Sequence, residues 1–92
     1  MLLKESDLQF STYEYVKEAG ILGFYPYISG ANNETVIEFP KTIERDGKSY
    51  KVTYISVYAD LAKCLKLEEV RVPKGLMAEI QVPKGVKVTY LD

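Results

Sequence analysis

One pattern recurs along the chain and limits its fold more than any other feature. The segments Ile37-Glu38-Phe39-Pro40-Lys41-Thr42-Ile43, Val70-Arg71-Val72-Pro73-Lys74-Gly75-Leu76 and Ile80-Gln81-Val82-Pro83-Lys84-Gly85-Val86 each read apolar, polar, apolar, Pro, Lys, small, apolar. Alternation with a period of two belongs to a minimal strand. Ile37 and Phe39, Val70 and Val72, and Ile80 and Val82 are therefore expected to point inwards, with Glu38, Arg71 and Gln81 pointing outwards. Proline offers no N–H to a strand ladder, so it stops each strand at the same point. No strand this short buries its apolar face alone, and recurrence with a common stop is what a stacked solenoid requires.

The segments around the repeat read mainly as β. Leu8 to Val16 admits two readings. Ser11 and Glu14 have capping-box spacing for a helix closed by Gly20, but Phe10, Tyr13, Tyr15 and Val16 are aromatic or β-branched and favour a strand. On the strand reading, residues 17–20 form a hairpin loop and Ile21 to Ile28 a return strand, which Pro26 places at a sheet edge. Leu22, Phe24 and Ile28 would then face the core, and Tyr25 and Tyr27 the other side. Asp46-Gly47 is a strong hairpin-turn signal leading into a strand from Tyr50 to Ile55. Tyr58 to Leu67 is the best helical segment, with Leu61, Leu65 and Cys64 on one side.

Composition bounds the function classes. The chain has 92 residues, 47% of them hydrophobic, and a formal charge of −1. This suits one globular domain with no general pull towards nucleic acid. No apolar run approaches a membrane span or a signal-peptide core, so a cytoplasmic location is expected, or an extracellular one for a fragment of a longer surface protein. With no His and one Cys, the Ser-His and Cys-His dyads, most metal sites and any intrachain disulfide are removed. No Gly-rich phosphate loop is present. Neither a catalytic residue, a cofactor nor a metal is expected. Charge is uneven: residues 1–46 hold eight acids and four bases, and residues 47–92 hold five acids and eight bases.

Together these segments resemble the BspA-type leucine-rich repeat family. Ile55-Ser56-Val57-Tyr58-Ala59, Leu61-Ala62-Lys63-Cys64 and Leu67-Glu68-Glu69-Val70-Arg71-Val72-Pro73 follow one family unit, with Asp60 where the family usually carries Phe. Ile21-Leu22-Gly23-Phe24 and the run from Val36 through Tyr50-Lys51-Val52-Thr53 resemble the segments that lead into such arrays. The resemblance implies a non-catalytic recognition scaffold. The expected architecture is a single domain over 1–92: an N-terminal β-hairpin cap over 1–34 and, over 35–92, a very short leucine-rich-repeat-like solenoid with one short helix. Both ends are expected to act as caps.

The expected function is protein binding, with a protein as partner and with neither membrane nor nucleic acid. The alternative is a small stand-alone inhibitor or anti-defence protein, phage-encoded in one version, that blocks a larger bacterial protein. Two surfaces are candidates. Tyr13, Tyr15, Tyr25 and Tyr27 would form an aromatic cluster on the hairpin, where tyrosine suits both sheet filling and contact. Lys41, Lys74 and Lys84 would form a column along one rim, with Arg71, Lys48, Lys51 and Lys87 available to widen it. Such a row either meets an acidic partner or simply guards a sheet edge. Cys64 is expected to be a buried small hydrophobe, and Glu14 with Glu18 to be solvated.

Overall fold

In the computed structural model, which describes residues 1–92, the Asp46-Gly47 turn organises the middle of the chain. Both residues take positive φ, 52° and 75°, as a type I′ hairpin turn requires. The turn joins β4 (Thr42–Arg45) to β5 (Lys48–Val57), antiparallel from Arg45 opposite Lys48 to Thr42 opposite Lys51.

The N-terminal hairpin consists of β1 (Leu8–Tyr13) and β2 (Glu18–Phe24), antiparallel from Tyr13 opposite Glu18 to Leu8 opposite Phe24. Leu8 to Tyr13 is thus strand, not helix, and the connecting loop is residues 14–17 instead of 17–20. A β-bulge corrects the expected faces. Gln9 pairs with Gly23 and Phe10 with Ile21, leaving Leu22 unpaired. One extra residue inverts the alternation, so Ile21 and Phe24 are both buried while Leu22 is 52% exposed. Nor does the strand run on to Ile28. Pro26 opens a one-turn helix, α1 (Pro26–Ser29), where its missing N–H has no partner to lose, and Ile28 is 85% exposed. β2 lies inside its sheet, between β1 and β5, not at an edge.

Two sheets share the remaining strands. The five-stranded sheet runs β1-β2-β5-β4, with β7 (Met77–Ile80) pairing along the far half of β5. The second sheet contains β3 (Val36–Glu38), β6 (Glu69–Pro73) and β8 (Lys87–Leu91), all parallel. The β2–β5 and β5–β7 pairs are parallel as well, so after β2 the chain passes repeatedly between two parallel ladders. Ile37 stands beside Val70, which puts the first two repeat copies in register. The third copy departs from the expected stack: Ile80 ends β7 on β5, and β8 takes the place beside β6. Between Val70 and Ile80 the chain is too short for the crossover of a dozen or more residues that a parallel neighbour needs.

The helical segment is a single turn, α2 (Ala59–Ala62). Leu61, Cys64 and Leu67 are buried, but Leu65 is 90% exposed. Helical spacing ends at Lys63, and a turn in which Leu67 N donates to Cys64 O at 3.1 Å sets the faces beyond it. The core is one cluster of 18 apolar residues drawn from both sheets and the segments between them, including an edge-on Phe24–Phe39 pair with centroids 6.1 Å apart. Ile37, Phe39, Val70 and Val72 point inwards as the repeat predicts. No residue after Pro73 is buried, and Ile80, Val82, Val86 and Val88 are only half-covered. The other end is closed, since Leu2 bridges Glu38 and Leu3 is buried. No helix is long and apolar enough to cross a membrane.

Candidate functional site

The four hairpin tyrosines are all exposed, but they form two pairs, not one cluster. Tyr13 and Tyr15 sit at the β1–β2 loop, whereas Tyr25 and Tyr27 follow the opposite end of β2. Six strand residues separate the ends, about 3.3 Å each. Around α1, Tyr25, Tyr27 and Ile28 border a cavity of about 220 Å³ with Gln9, Asp60 and Lys63 on its polar side. Asp60 Oδ2 accepts from Phe24 N at 3.1 Å and lies 2.7 Å from where a Cβ on Gly23 would stand. Glycine at 23 thus lets the Asp60 carboxylate reach the end of β2. This contact tethers α2 to the hairpin.

The lysines fall into a different arrangement from the expected column. The β3–β6 register carries Lys41 to the level of Lys74, and the β6–β8 register carries Lys74 to Asp92. The third place in the row is therefore an acid. Lys74 Nζ lies 3.1 Å from Asp92 Oδ1, and Lys41 Nζ donates to Asp92 O at 3.0 Å. Lys84 lies apart, in the turn between β7 and β8. Arg71 is on the outer face of the three-stranded sheet, where its Nε is 3.4 Å from Glu69 Oε2. Lys51 joins Lys41 and Lys74 because the Asp46-Gly47 hairpin sets it opposite Thr42. Together they surround a cleft of about 410 Å³ with Val52, Leu91 and Asp92.

Glu14 is the third charged centre. Its Oε1 accepts from Lys17 Nζ and, at 2.6 Å, from Lys48 Nζ, while Oε2 accepts from the Tyr50 hydroxyl. These donors stabilise the ionised form and hold the carboxyl down to about 2, and the bond to Glu14 raises the Tyr50 phenol. A carboxylate fixed in this way gathers the β1–β2 loop onto β5, well away from a proton-transfer range near neutrality. Glu18 does not share the site; it accepts weakly from Thr53 Oγ1 at 3.4 Å. Cys64 is a buried free thiol whose pKa is raised by burial and by nearby Asp60. No three His, Cys, Asp or Glu side chains converge to hold a metal ion.

Sequence reasoning named Lys41 and Lys74, placed Lys51 in a wider set, and missed Asp92. The signal for Lys51 was present in the two-residue turn, which fixes its register. Asp92 carried no such signal, because its place depends on β8 rather than the third repeat copy stacking on β6. Compared with family models, curated proteins and solved structures, the chain matches none.

Proposed function

We propose that this chain is a non-catalytic protein-binding module on a short leucine-rich-repeat-like scaffold. The observation that carries the reading is α1, which follows β2 and turns Tyr25, Tyr27 and Ile28 outwards, with Tyr27 68% and Ile28 85% exposed. Large apolar and aromatic side chains held together on a rigid turn with a polar rim are the usual make-up of a contact hot spot. The scaffold part of the reading is supported by the chain's passage between two parallel ladders, β2-β5-β7 and β3-β6-β8, although the offset per circuit is not constant: Ile37 meets Val70, whereas Tyr54 meets Met77 and Glu69 meets Lys87.

The test is site-specific photo-crosslinking in lysate of the source organism, with the crosslinker at Tyr27 and, as a control, at exposed Lys66. The expected result is a discrete adduct at position 27 alone that Ile28→Asp abolishes while the protein stays folded. Adducts that ignore both the position and Ile28→Asp would refute the reading.

A further inference from the structure

The cleft at the strand ends holds more positive charge than the chain neutralises. Lys41, Lys51 and Lys74 face it together with a single side-chain acid, Asp92, and Lys51 makes no salt bridge at all. Two ammonium groups converge on Asp92, the last of the 92 residues, Lys74 on its side-chain carboxylate and Lys41 on its main-chain carboxylate oxygen, so three lysine charges meet two carboxylate charges. Adjacent rungs lie about 4.8 Å apart, so the like charges of Lys41 and Lys74 are held close and gain from any anion placed between them. Asp92 is a weak answer to that need. Its side chain is 92% exposed, and that of Lys74 is 69% exposed, a setting in which ion pairs are easily exchanged for water or for another acid.

We propose that this cleft binds an acidic segment of a partner protein, one carboxylate lying between Lys41 and Lys74 within reach of Lys51, and that Asp92 is its internal stand-in when the partner is absent. The cleft's size and lining favour a peptide over a small anion. About 410 Å³ lies within the range of ligand sites and far exceeds one carboxylate. Partly exposed Leu91 adds apolar surface beside the lysines, with buried Val52 beneath it, which suits an apolar side chain next to the acid. Lysine heads are point charges without the planar fork of arginine, so they accept a carboxylate in several orientations. The inference uses the protein-binding reading only in taking the ligand as polypeptide; its site is separate from α1.

The probe is the capped peptide acetyl-Leu-Asp-Leu-Asp-amide, titrated into the full chain and followed by NMR. Saturable shifts are expected at Lys41, Lys51, Lys74, Val52 and Leu91, weakening several-fold as salt rises from about 50 to 300 mM. Asp92→Asn should tighten binding about two- to fivefold by removing the side-chain carboxylate that competes for Lys74, leaving the main-chain oxygen on Lys41 in place, and Lys41→Gln with Lys74→Gln should weaken it by at least as much. The Asn version of the peptide should not bind. No saturable shift, indifference to the lysine substitutions, or looser binding in Asp92→Asn would overturn the proposal. So would saturation by inorganic phosphate alone, which would make the cleft a small-anion site. Because the lysine variants leave Tyr27 and Ile28 intact, loss of peptide binding with an unchanged Tyr27 adduct refutes this site alone. Loss of the adduct with intact peptide binding refutes only the α1 reading.

Discussion

Replacing Val70 and Val88 by alanine, one at a time, tests whether the last rung lies outside the dense core. The two valines are direct partners in the β6–β8 ladder, yet Val70 is fully buried and Val88 is half-covered. The same methyl groups are removed at both places, so only their surroundings differ. At Val70 the transfer term is about 1.5 kcal/mol, at roughly 0.8 kcal/mol per methylene-sized group. A partly relaxed cavity brings the cost to about 2–2.5 kcal/mol. At Val88 the methyls are already partly hydrated and water can fill the space, so the cost should be about 0.5–1 kcal/mol. A domain this size has about 5–14 kcal/mol of total stability, and neither variant should unfold outright. In urea, with a slope of about 1 kcal/mol/M for a small chain, the midpoint should fall by about 2 M for Val70→Ala and by less than about 1 M for Val88→Ala, with unchanged slopes. Equal falls, or a larger one at Val88, would refute the argument that packing density drops after Pro73.

The β-bulge at Leu22 makes a similar contrast: Phe24→Ala should cost about 3–5 kcal/mol and Leu22→Ala less than about 0.5 kcal/mol, and the opposite order in thermal denaturation would place Leu22 in the core. Glu14 titrates near 2 against an ordinary 4.5 because Lys17, Lys48 and Tyr50 donate to it. A depressed folded-state pKa stabilises the fold fully above about 4.5 and loses that contribution as pH falls towards 2; Glu14→Gln should flatten the stability slope in that window, and a carboxyl NMR midpoint near 4.5 would contradict the hydrogen-bonded cluster. Cys64 should react slowly with a thiol reagent in the folded chain and quickly in denaturant, because it is buried and its pKa is raised; rapid native labelling would show it to be accessible.

Local chemistry was readable in the sequence, whereas anything set by counting residues through an irregularity was not. Asp46-Gly47 announced a hairpin because only positive-φ residues suit that turn, and the inward directions of Ile37, Phe39, Val70 and Val72 followed from period-two alternation. The same rule failed at Leu22, because nothing in Ile21-Leu22-Gly23-Phe24 marks which residue a bulge will leave unpaired. A second irregularity lies opposite: Ala19 pairs with Val52 but Gly20 with Tyr54, so Thr53 is skipped, and Val52 and Ile55 are both buried. The two slips occur in neighbouring strands of one sheet, a non-local agreement that alternation within one segment cannot reveal. At the candidate cleft, Lys41 and Lys74 were legible through the repeat. Their third partner was not, because similarity assigned Lys84 to a place that chain length forbids.

The uneven charge along the chain also takes on a specific meaning once the ladders are in place. Parallel stacking brings a residue of the acidic first half beside one of the basic second half: Glu38 aligns with Arg71 and Glu18 with Lys51. The β1–β2 loop adds a direct ion pair of Glu14 with Lys48 at 2.6 Å. On the outer face of the three-stranded sheet, Glu69 accepts from Arg71 and from Thr89 Oγ1. Register alone does not neutralise these charges: Glu14 with Lys48 is the side-chain ion pair that joins an acid of the first half to a base of the second, while Arg71 pairs within its own half with Glu69. The row of Lys41 and Lys74 sets like beside like, with Lys51 across the hairpin in no ion pair and the exposed side-chain and main-chain carboxylates of Asp92 to offset them. Salt dependence of any partner binding should therefore trace to these three lysines. Neutralising Lys48 instead should alter stability through Glu14 and leave the salt dependence of binding as it was, which separates a charge that builds the fold from one available to a ligand.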